Sequence, residues 1–214
     1  MGRRGYRPRK ENIWKPCRVV VIVCEGEKTE INYFNGFKER NSGVNIIPMH
    51  EKCTDPKNIV ESAKKQITKH DINFKEGDGL WCAFDVDNID KNKIEMIKYA
   101  VEFANKNNIQ IALSNPCIEL WFLLHYKLKY PALPRDKAFD ELKKYIPNYD
   151  KNYPEIYSVL KDKLPKAIKN AKKLNKIHEK NNIKLISVES NPSSQVFKLV
   201  EFIQQTIEEN KRNL

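Results

Sequence analysis

Long apolar segments are absent from the sequence. Its longest apolar runs, Val19 to Cys24 and Leu120 to Leu124, are only five or six residues long, whereas a membrane-spanning helix needs about 18 or more. The arginine-rich residues at the start also lack the apolar stretch of a secretory signal peptide. We therefore expect a protein without a transmembrane helix that works in the cytoplasm.

Paired cysteines are lacking as well. The five cysteines form no C-x-x-C motif, the spacing that most often indicates a zinc site. Three of them lie in apolar stretches, where a free cysteine behaves as a small hydrophobic residue. We expect neither a zinc site nor disulfide bonds. The sequence also shows no internal repeat and no low-complexity segment.

The positive charge of the chain is concentrated in two segments. The formal net charge is +11, and residues 1–18, which include Arg3 and Arg4, carry seven Arg and Lys against one Glu. Residues 163–184 carry eight lysines against one Glu, which leaves the rest of the chain slightly acidic. A lysine-rich genome composition would explain the total charge. Its clustering favours contact with a polyanion, most often nucleic acid.

Strand and helix patterns alternate in the first half of the chain. Runs of apolar and β-branched residues predict strands at 18–24, 44–49, 80–84 and 109–113. Helical spacing and capping residues predict helices at 29–40, 55–69 and about 94–107. Three strand-helix-strand units with short connections predict an α/β fold of the Toprim or Rossmann type, with a mostly parallel sheet of four to five strands flanked by helices.

The second half of the chain reads mainly as helices. The predicted helices cover 117–129, 136–145, 154–162 and 164–180, followed by a short strand at 183–188 and a final helix at 193–209. We interpret this order as a basic arm at 1–17, a catalytic core at 18–128, a helical insert at 129–182, and a C-terminal strand and helix at 183–214 that pack back on the core.

The helix predicted at 164–180 carries lysines at steps of three and four residues. The lysines that share this face are Lys166, Lys169, Lys173, Lys176 and Lys180. Such a stripe can follow a phosphate backbone. It is also what a solvated helix face looks like, so both interpretations stay open.

Carboxylates follow two of the predicted buried strands. Glu25-Gly26 comes directly after the first strand, and Asp85-Val86-Asp87 ends the third. Ligands of α/β sheets bind outside the carboxyl ends of the strands, so these acids could converge there. In extended backbone Asp85 and Asp87 would project to the same side, an arrangement that suits Mg²⁺. Asp90 is a possible outer member, although aspartates at such positions also cap helices.

Other residues are weaker candidates, each with a structural alternative. Glu119 could complete a metal shell or simply favour a helix N-terminus. Lys28 could stabilise a phosphate, but lysines are common in this chain. His125 could act as an acid, although a hydrogen-bonded core histidine fits its apolar helix better. The segment 191–194 could receive a phosphate at a helix N-terminus, or Ser193 could cap that helix.

The order of these motifs resembles that of the Toprim domain of primases, topoisomerases and OLD-type nucleases. The chain more closely resembles the RloB family, through EGEKTE at 25–30 with Tyr33-Phe34, SNPCIELWFLLH at 114–125 and NPSS at 191–194. That family includes the second component of the AbiL abortive-infection system, is associated with phage defence, and is often encoded beside a P-loop ATPase. This chain has no G-x-x-x-x-G-K-[ST] motif of its own.

The resemblance implies a metal-dependent nuclease that acts on RNA, possibly including tRNA, or on DNA. Asp85 and Asp87 would hold Mg²⁺ or Mn²⁺, and Glu25 would bind a metal or act as a general acid or base. A non-catalytic nucleic-acid-binding or regulatory subunit of a P-loop ATPase complex is the main alternative. A primase-like or topoisomerase-like activity is disfavoured because the sequence has no zinc ribbon and no suitable tyrosine motif.

Overall fold

A computed structural model describes residues 17–52, 55–87, 89–128 and 131–213 of the chain. Arg3 and Arg4, and all of the predicted basic arm except Cys17, lie outside the described residues. Within the described part of the chain, no helix is both long and apolar enough to cross a membrane.

A five-stranded sheet forms the centre of the fold, with the strand order β2-β1-β3-β4-β5. The strands are β1 Arg18–Cys24, β2 Val44–His50, β3 Gly79–Asp85, β4 Gln110–Asn115 and β5 Ser193–Ser194. The first four run parallel to one another, and β5 pairs antiparallel with β4. The predicted α/β fold with a mostly parallel sheet is therefore confirmed, and it is consistent with a Rossmann-like or Toprim-like architecture.

Eight α-helices surround the sheet within the described residues. They are α1 Thr29–Asn35, α2 Pro56–Lys69, α3 Lys91–Lys106, α4 Ile118–Leu124, α5 Arg135–Lys143, α6 Ile156–Leu160, α7 Leu164–Lys180 and α8 Val196–Asn213. Local signals fix several starts. The Asp55 carboxylate accepts a hydrogen bond from the Asn58 N–H at 2.9 Å, with Pro56 in the first turn of α2.

The central strands are buried on both faces, which explains their continuous apolar runs. In β1, Val20 and Ile22 contribute to one core and Val21 and Val23 to the other, because side chains alternate along a strand. Helices α2 and α3 cover one face. Helices α1, α4, α7 and α8 cover the other face, where the apolar run of α4 is wholly buried.

The prediction of a strand at 183–188 is wrong. This segment is irregular, and the fifth strand is the two-residue β5, which pairs with Ser114 and Asn115. The Asn115 side-chain amide donates hydrogen bonds to the carbonyls of Ser187 at 3.1 Å and Val188 at 3.0 Å. Side-chain hydrogen bonds thus replace ladder bonds in this segment, and its apolar residues pack against the core as a loop.

The start of the last helix also differs from the prediction. Ser193 and Ser194 belong to β5, and α8 begins at Val196. Ser193 is therefore not the helix cap that the sequence suggested. The helices predicted at 29–40 and 117–129 are shorter than expected, because α1 ends at Asn35 and α4 at Leu124, whereas α7 has the predicted bounds.

Candidate active site

A cleft of about 420 Å³ opens at the carboxyl ends of β1, β3 and β4. Its walls are formed by the loop after β1, the end of β3, the start of α4, and residues 135, 151 and 152 of the helical insert. The lining residues are Glu25, Gly26, Glu27, Lys28, Thr29, Glu30, Asp85, Asp87, Ile118, Glu119, Arg135, Lys151 and Asn152. The cleft lies where parallel α/β sheets bind their ligands, and Glu25, Asp85, Asp87 and Glu119 all line it.

Glu25 continues the line of β1 into the cleft. Its backbone N–H donates to the Ala83 carbonyl at 2.9 Å, and its Oε2 accepts a hydrogen bond from the Asp85 N–H at 2.8 Å. The Lys93 Nζ lies 3.7 Å from the other carboxylate oxygen. Burial raises the pKa of Glu25, while Lys93 acts in the opposite direction. The side chain is thus fixed in place by the end of β3.

Asp85 is the last residue of β3 and is only 8% exposed. Burial raises the pKa of Asp85 well above its ordinary value. Repulsion from the surrounding carboxylates of Glu30, Glu119, Asp87 and Glu25 raises it further. Additional positive charge beside Asp85 would therefore favour its ionised form.

Asp87 reaches the cleft by a route that the sequence did not predict. Its φ is +51°, in the left-handed region, so the predicted extended backbone from Asp85 through Asp87 is wrong. The strand ends at Asp85, and the Asp87 N–H donates a hydrogen bond to the carbonyl of Pro116, which lies just before α4, at 3.0 Å. In the cleft, an Asp87 oxygen lies 3.0 Å from the Arg135 guanidinium.

Glu119 lies in the first turn of α4 and is 3% exposed. The Tyr149 hydroxyl donates a hydrogen bond to its Oε1 at 3.0 Å. Burial, with the nearby Glu119 charge, raises the pKa of Tyr149, so the hydroxyl keeps its proton and acts as a donor. The insert thus supplies the residue that orients Glu119.

Glu30, which the sequence did not single out as a site residue, is a third buried carboxylate at the cleft, beside Asp85 and Glu119. Its Oε1 accepts a hydrogen bond from the Gly26 N–H at 3.1 Å. A Cβ on Gly26 would lie 1.9 Å from the other Glu30 oxygen, so glycine permits this close approach. Burial raises the pKa of Glu30 to about 7, and repulsion from Glu25 and Glu119 adds to the effect. The signal was available, because Glu30 shares a helix face with buried Phe34.

The cations at the cleft also escaped the sequence analysis. Lys93 comes from α3 and contacts Glu25, and Arg135 comes from the start of α5. Lys151 lines the cleft from a loop of the insert, next to the uncharged Asn152. Their positions depend on how the chain crosses between elements, and no local pattern marks them. Lys28, which the sequence did suggest, is exposed and lines the cleft.

Two minor candidates serve the fold. The Asp90 carboxylate caps α3 by accepting a hydrogen bond from the Lys93 N–H at 2.7 Å. His125 is completely buried, its Nδ1 lies 3.0 Å from the Trp121 carbonyl, and burial lowers its pKa to about 4. Neither residue lines the cleft. The structural alternatives that the sequence left open account for both of them.

The lysine stripe of α7 is exposed, as expected for either interpretation. Lys169, Lys173 and Lys176 line a shallow groove with Pro165, Ile168 and Lys172. Lys166 and Lys180 are exposed on the same helix. None of these lysines lines the carboxylate cleft, so the structure keeps the stripe and the carboxylates as separate surfaces.

The donors of the cleft suit a hard divalent cation. Carboxylate oxygens are the ligands that Mg²⁺ and Mn²⁺ prefer, and acidic side chains outnumber cationic ones among the residues that line the cleft. Among the described residues, however, no three His, Cys, Asp or Glu side chains are already arranged to hold a metal ion together. The chemistry therefore fits, and binding would require these side chains to rearrange.

A family model described as RloB-like protein matches residues 20–203. No curated protein and no solved structure matches the chain significantly.

Proposed function

Because the chain belongs to the RloB-like protein family, we propose that it is a divalent-metal-dependent nuclease. One observation carries this proposal: Glu25 and Asp85 at the ends of β1 and β3, Asp87 just after β3, and Glu119 in the first turn of α4 line the same cleft. Phosphodiester cleavage requires positive charge to offset the attacking and leaving oxygens, and carboxylates can hold the cations that provide it.

Asp85, Asp87 and Glu25 are the residues that would hold Mg²⁺ or Mn²⁺. The bound ion would activate water and neutralise charge on the phosphate. Glu119, which accepts a hydrogen bond from Tyr149, would complete the metal shell or orient a ligand of the metal ion. Arg135 and Lys28 at the cleft would donate hydrogen bonds to the phosphate oxygens, and the guanidinium could do so with two parallel N–H groups. Glu25 could also transfer a proton during cleavage.

A second function is a non-catalytic, nucleic-acid-binding or regulatory subunit of a P-loop ATPase complex. Two ion pairs support it, because Lys93 and Arg135 already contact Glu25 and Asp87. Internal cations of this kind would keep the acidic cluster folded without any metal. In either case we propose a role in phage defence, with a separately encoded ATPase as partner.

Cleavage assays separate the two functions. Purified protein is incubated with labelled tRNA, single-stranded RNA or plasmid DNA and Mg²⁺ or Mn²⁺, beside Asp85→Asn, Glu25→Gln and the control Glu102→Gln on the exposed side of α3. We expect the wild type and the control to cut at least one substrate. The two cleft variants should be about 100-fold slower or worse.

The outcomes discriminate clearly. Cleavage that survives both cleft substitutions would refute the site assignment. If no substrate is cut, the assay is repeated with a P-loop ATPase of the kind proposed as the partner. Activity that appears only then indicates a nuclease that the partner controls, whereas continued inactivity together with nucleic-acid binding supports the non-catalytic subunit.

A further inference from the structure

A pair of stacked tyrosines lies on the surface of the helical part of the molecule. The rings of Tyr126 and Tyr145 are 4.5 Å apart between centroids, with an interplanar angle of 16°. Tyr145 is 40% exposed, and Tyr126 is partly buried behind it. The exposed part of the Tyr145 ring leaves apolar area in contact with water.

Lysines surround this pair. The Nζ of Lys163 lies 5.3 Å from the Tyr126 ring centroid, and that of Lys127 lies 5.8 Å from the Tyr145 ring centroid. Lys166 donates a hydrogen bond to the Tyr126 carbonyl at 2.5 Å. Glu141 offsets Lys127 through an ion pair of 2.8 Å. In the described part of the chain, neither Lys163 nor Lys166 forms an ion pair with a carboxylate.

Two helices lead from the carboxylate cleft to the stacked pair. Helix α4 begins beside Glu119 and is followed by Tyr126, while α5 begins at Arg135 and is followed by Tyr145. Both Glu119 and Arg135 line the cleft, and α4 and α5 pack against each other. At 1.5 Å per residue, the stack lies about 10 to 15 Å from the cleft, a distance that a few nucleotides span.

We propose that Tyr126 and Tyr145 form a stacking platform for a base of a single-stranded nucleic acid whose backbone enters the cleft. Aromatic faces among basic residues bind single strands because every base has a flat π-face and every nucleotide a negative phosphate. A base in a duplex is already stacked and cannot use the platform. This inference rests on the proposed function and specifies its substrate as single-stranded.

The platform also links the cleft to the lysine stripe. Lys166, which contacts the Tyr126 carbonyl, is the first lysine of the stripe on α7. A strand that leaves the platform can therefore continue along Lys169 and Lys173 in the adjacent groove. The two surfaces that looked separate become parts of one path.

A second stacked pair provides a matched control. Tyr99 and Phe103 on α3 are 5.7 Å apart at 23°, and Tyr99 is 38% exposed. The Tyr99 hydroxyl donates to the Glu61 carboxylate at 2.7 Å, so this pair lies next to an acid that repels phosphate. Lysines also lie over its rings, with the Lys57 Nζ 5.2 Å from the Tyr99 centroid and the Lys64 Nζ 5.6 Å from the Phe103 centroid. The pair therefore resembles the platform in exposure and in nearby charge, and it differs in lying on α3 rather than beside the lysine stripe of α7.

The test measures binding by fluorescence anisotropy in EDTA at about 150 mM salt. The probes are labelled single strands of about 12 nucleotides, as RNA and as DNA, and a labelled duplex. We expect Tyr145→Ala to weaken single-strand binding by about 5- to 50-fold, whereas Tyr145→Phe and Tyr99→Ala bind like the wild type. The affinity for duplex should not change with any of them.

Three results would overturn the platform: Tyr145→Ala with wild-type affinity, an equal loss in Tyr99→Ala, or an equal loss for duplex. The RNA and DNA arms show which strand is preferred. Because binding is measured without metal, the outcome is independent of catalysis. A protein that binds through Tyr145 but cuts nothing with Mg²⁺ or Mn²⁺, both alone and with a P-loop ATPase partner, would refute the nuclease and leave the platform standing.

Discussion

At the scale of single residues, acidic side chains outnumber cationic ones among the residues that line the cleft. Burial raises the pKa values of Asp85, Glu30 and Glu25, and repulsion from neighbouring carboxylates raises them further, while Lys93 acts in the opposite direction at Glu25. Folding therefore favours their protonated forms, and a bound cation or substrate-coupled rearrangement would relieve the repulsion. The same feature that suits metal binding makes the metal-free protein sensitive to pH.

The stability of the metal-free protein should fall as the pH rises. The folded state binds more protons than the unfolded chain, since Glu30 titrates at about 7 when folded and near its ordinary 4.5 when unfolded. The contribution of Glu30 is complete below about pH 4.5 and is lost as the pH approaches 7. Urea unfolding in EDTA at about pH 5 and about pH 8 measures this change. Glu30→Gln should reduce the pH dependence, and exposed Glu27→Gln should not; equal slopes in all three proteins would contradict the explanation.

Removing the Tyr149 hydroxyl should destabilise the protein through Glu119. The hydrogen bond from Tyr149 is buried and its acceptor is a carboxylate. We expect Tyr149→Phe to lower the free energy of unfolding by about 1.5–3 kcal/mol. Tyr145→Phe, at an exposed ring, is the control and should change it little. A Tyr149→Phe protein as stable as the control would show that the hydrogen bond contributes nothing.

Some residues of the cleft could be predicted from the sequence and others could not. Glu25 and Asp85 were predictable because each follows a buried strand, and parallel strands end at the same edge. The left-handed conformation of Asp87 depends on the Pro116 carbonyl of a different segment. Arg135 and Lys93 were not predictable because their approach depends on tertiary packing. The catalytic roles of all these residues stay predictions.

At the scale of helices and strands, local signals were reliable where they were strong. The apolar strands and the Asp-Pro start of α2 gave nearly the observed bounds. The segment 183–188 was wrongly predicted as a strand because its apolar residues pack against the core from a loop, which a hydrogen bond from Asn115 holds in place. The two-residue β5 gives no periodic pattern and could not be predicted.

Helix α3 provides a test of capping against metal binding. Asp90 caps this helix, so Asp90→Ala should lower the free energy of unfolding by about 1 kcal/mol. Asp90→Ser should retain most of the wild-type stability, because serine also caps helices well. Because the side chain does not line the cleft, divalent-metal affinity should be unchanged in both variants. Chemical unfolding and Mn²⁺ titration measure the two effects, and a loss of metal affinity would make Asp90 a member of the site after all.

At the scale of the whole molecule, an acidic cleft lies in a chain with a net charge of +11. The positive charge lies mainly in the lysines of 163–184 and in residues 1–18, of which 1–16 are outside the described part of the chain. This separation allows basic surfaces to hold a polyanion while the carboxylates bind a cation.

The lysine stripe predicts a specific salt dependence. Each phosphate contact with a single strand contributes about 0.7 to the slope of log affinity against log salt concentration. Replacing Lys169, Lys173 and Lys176 with Gln should therefore reduce this slope by up to about 2. The control replaces the exposed lysines of α2, Lys57, Lys64 and Lys65, and should leave it unchanged. Equal slopes for the two triple variants would show that the lysine stripe is a solvated helix face that does not contact phosphates.

The most direct test of the central claim is a calorimetric titration of Mn²⁺ into the purified protein. The account predicts saturable binding to the wild type and to Glu102→Gln, and its loss in Asp85→Asn, because Asp85 lies at the centre of the carboxylate cluster. Binding that is equally strong in Asp85→Asn, or absent from the wild type, would contradict the claim that this cleft is a metal site.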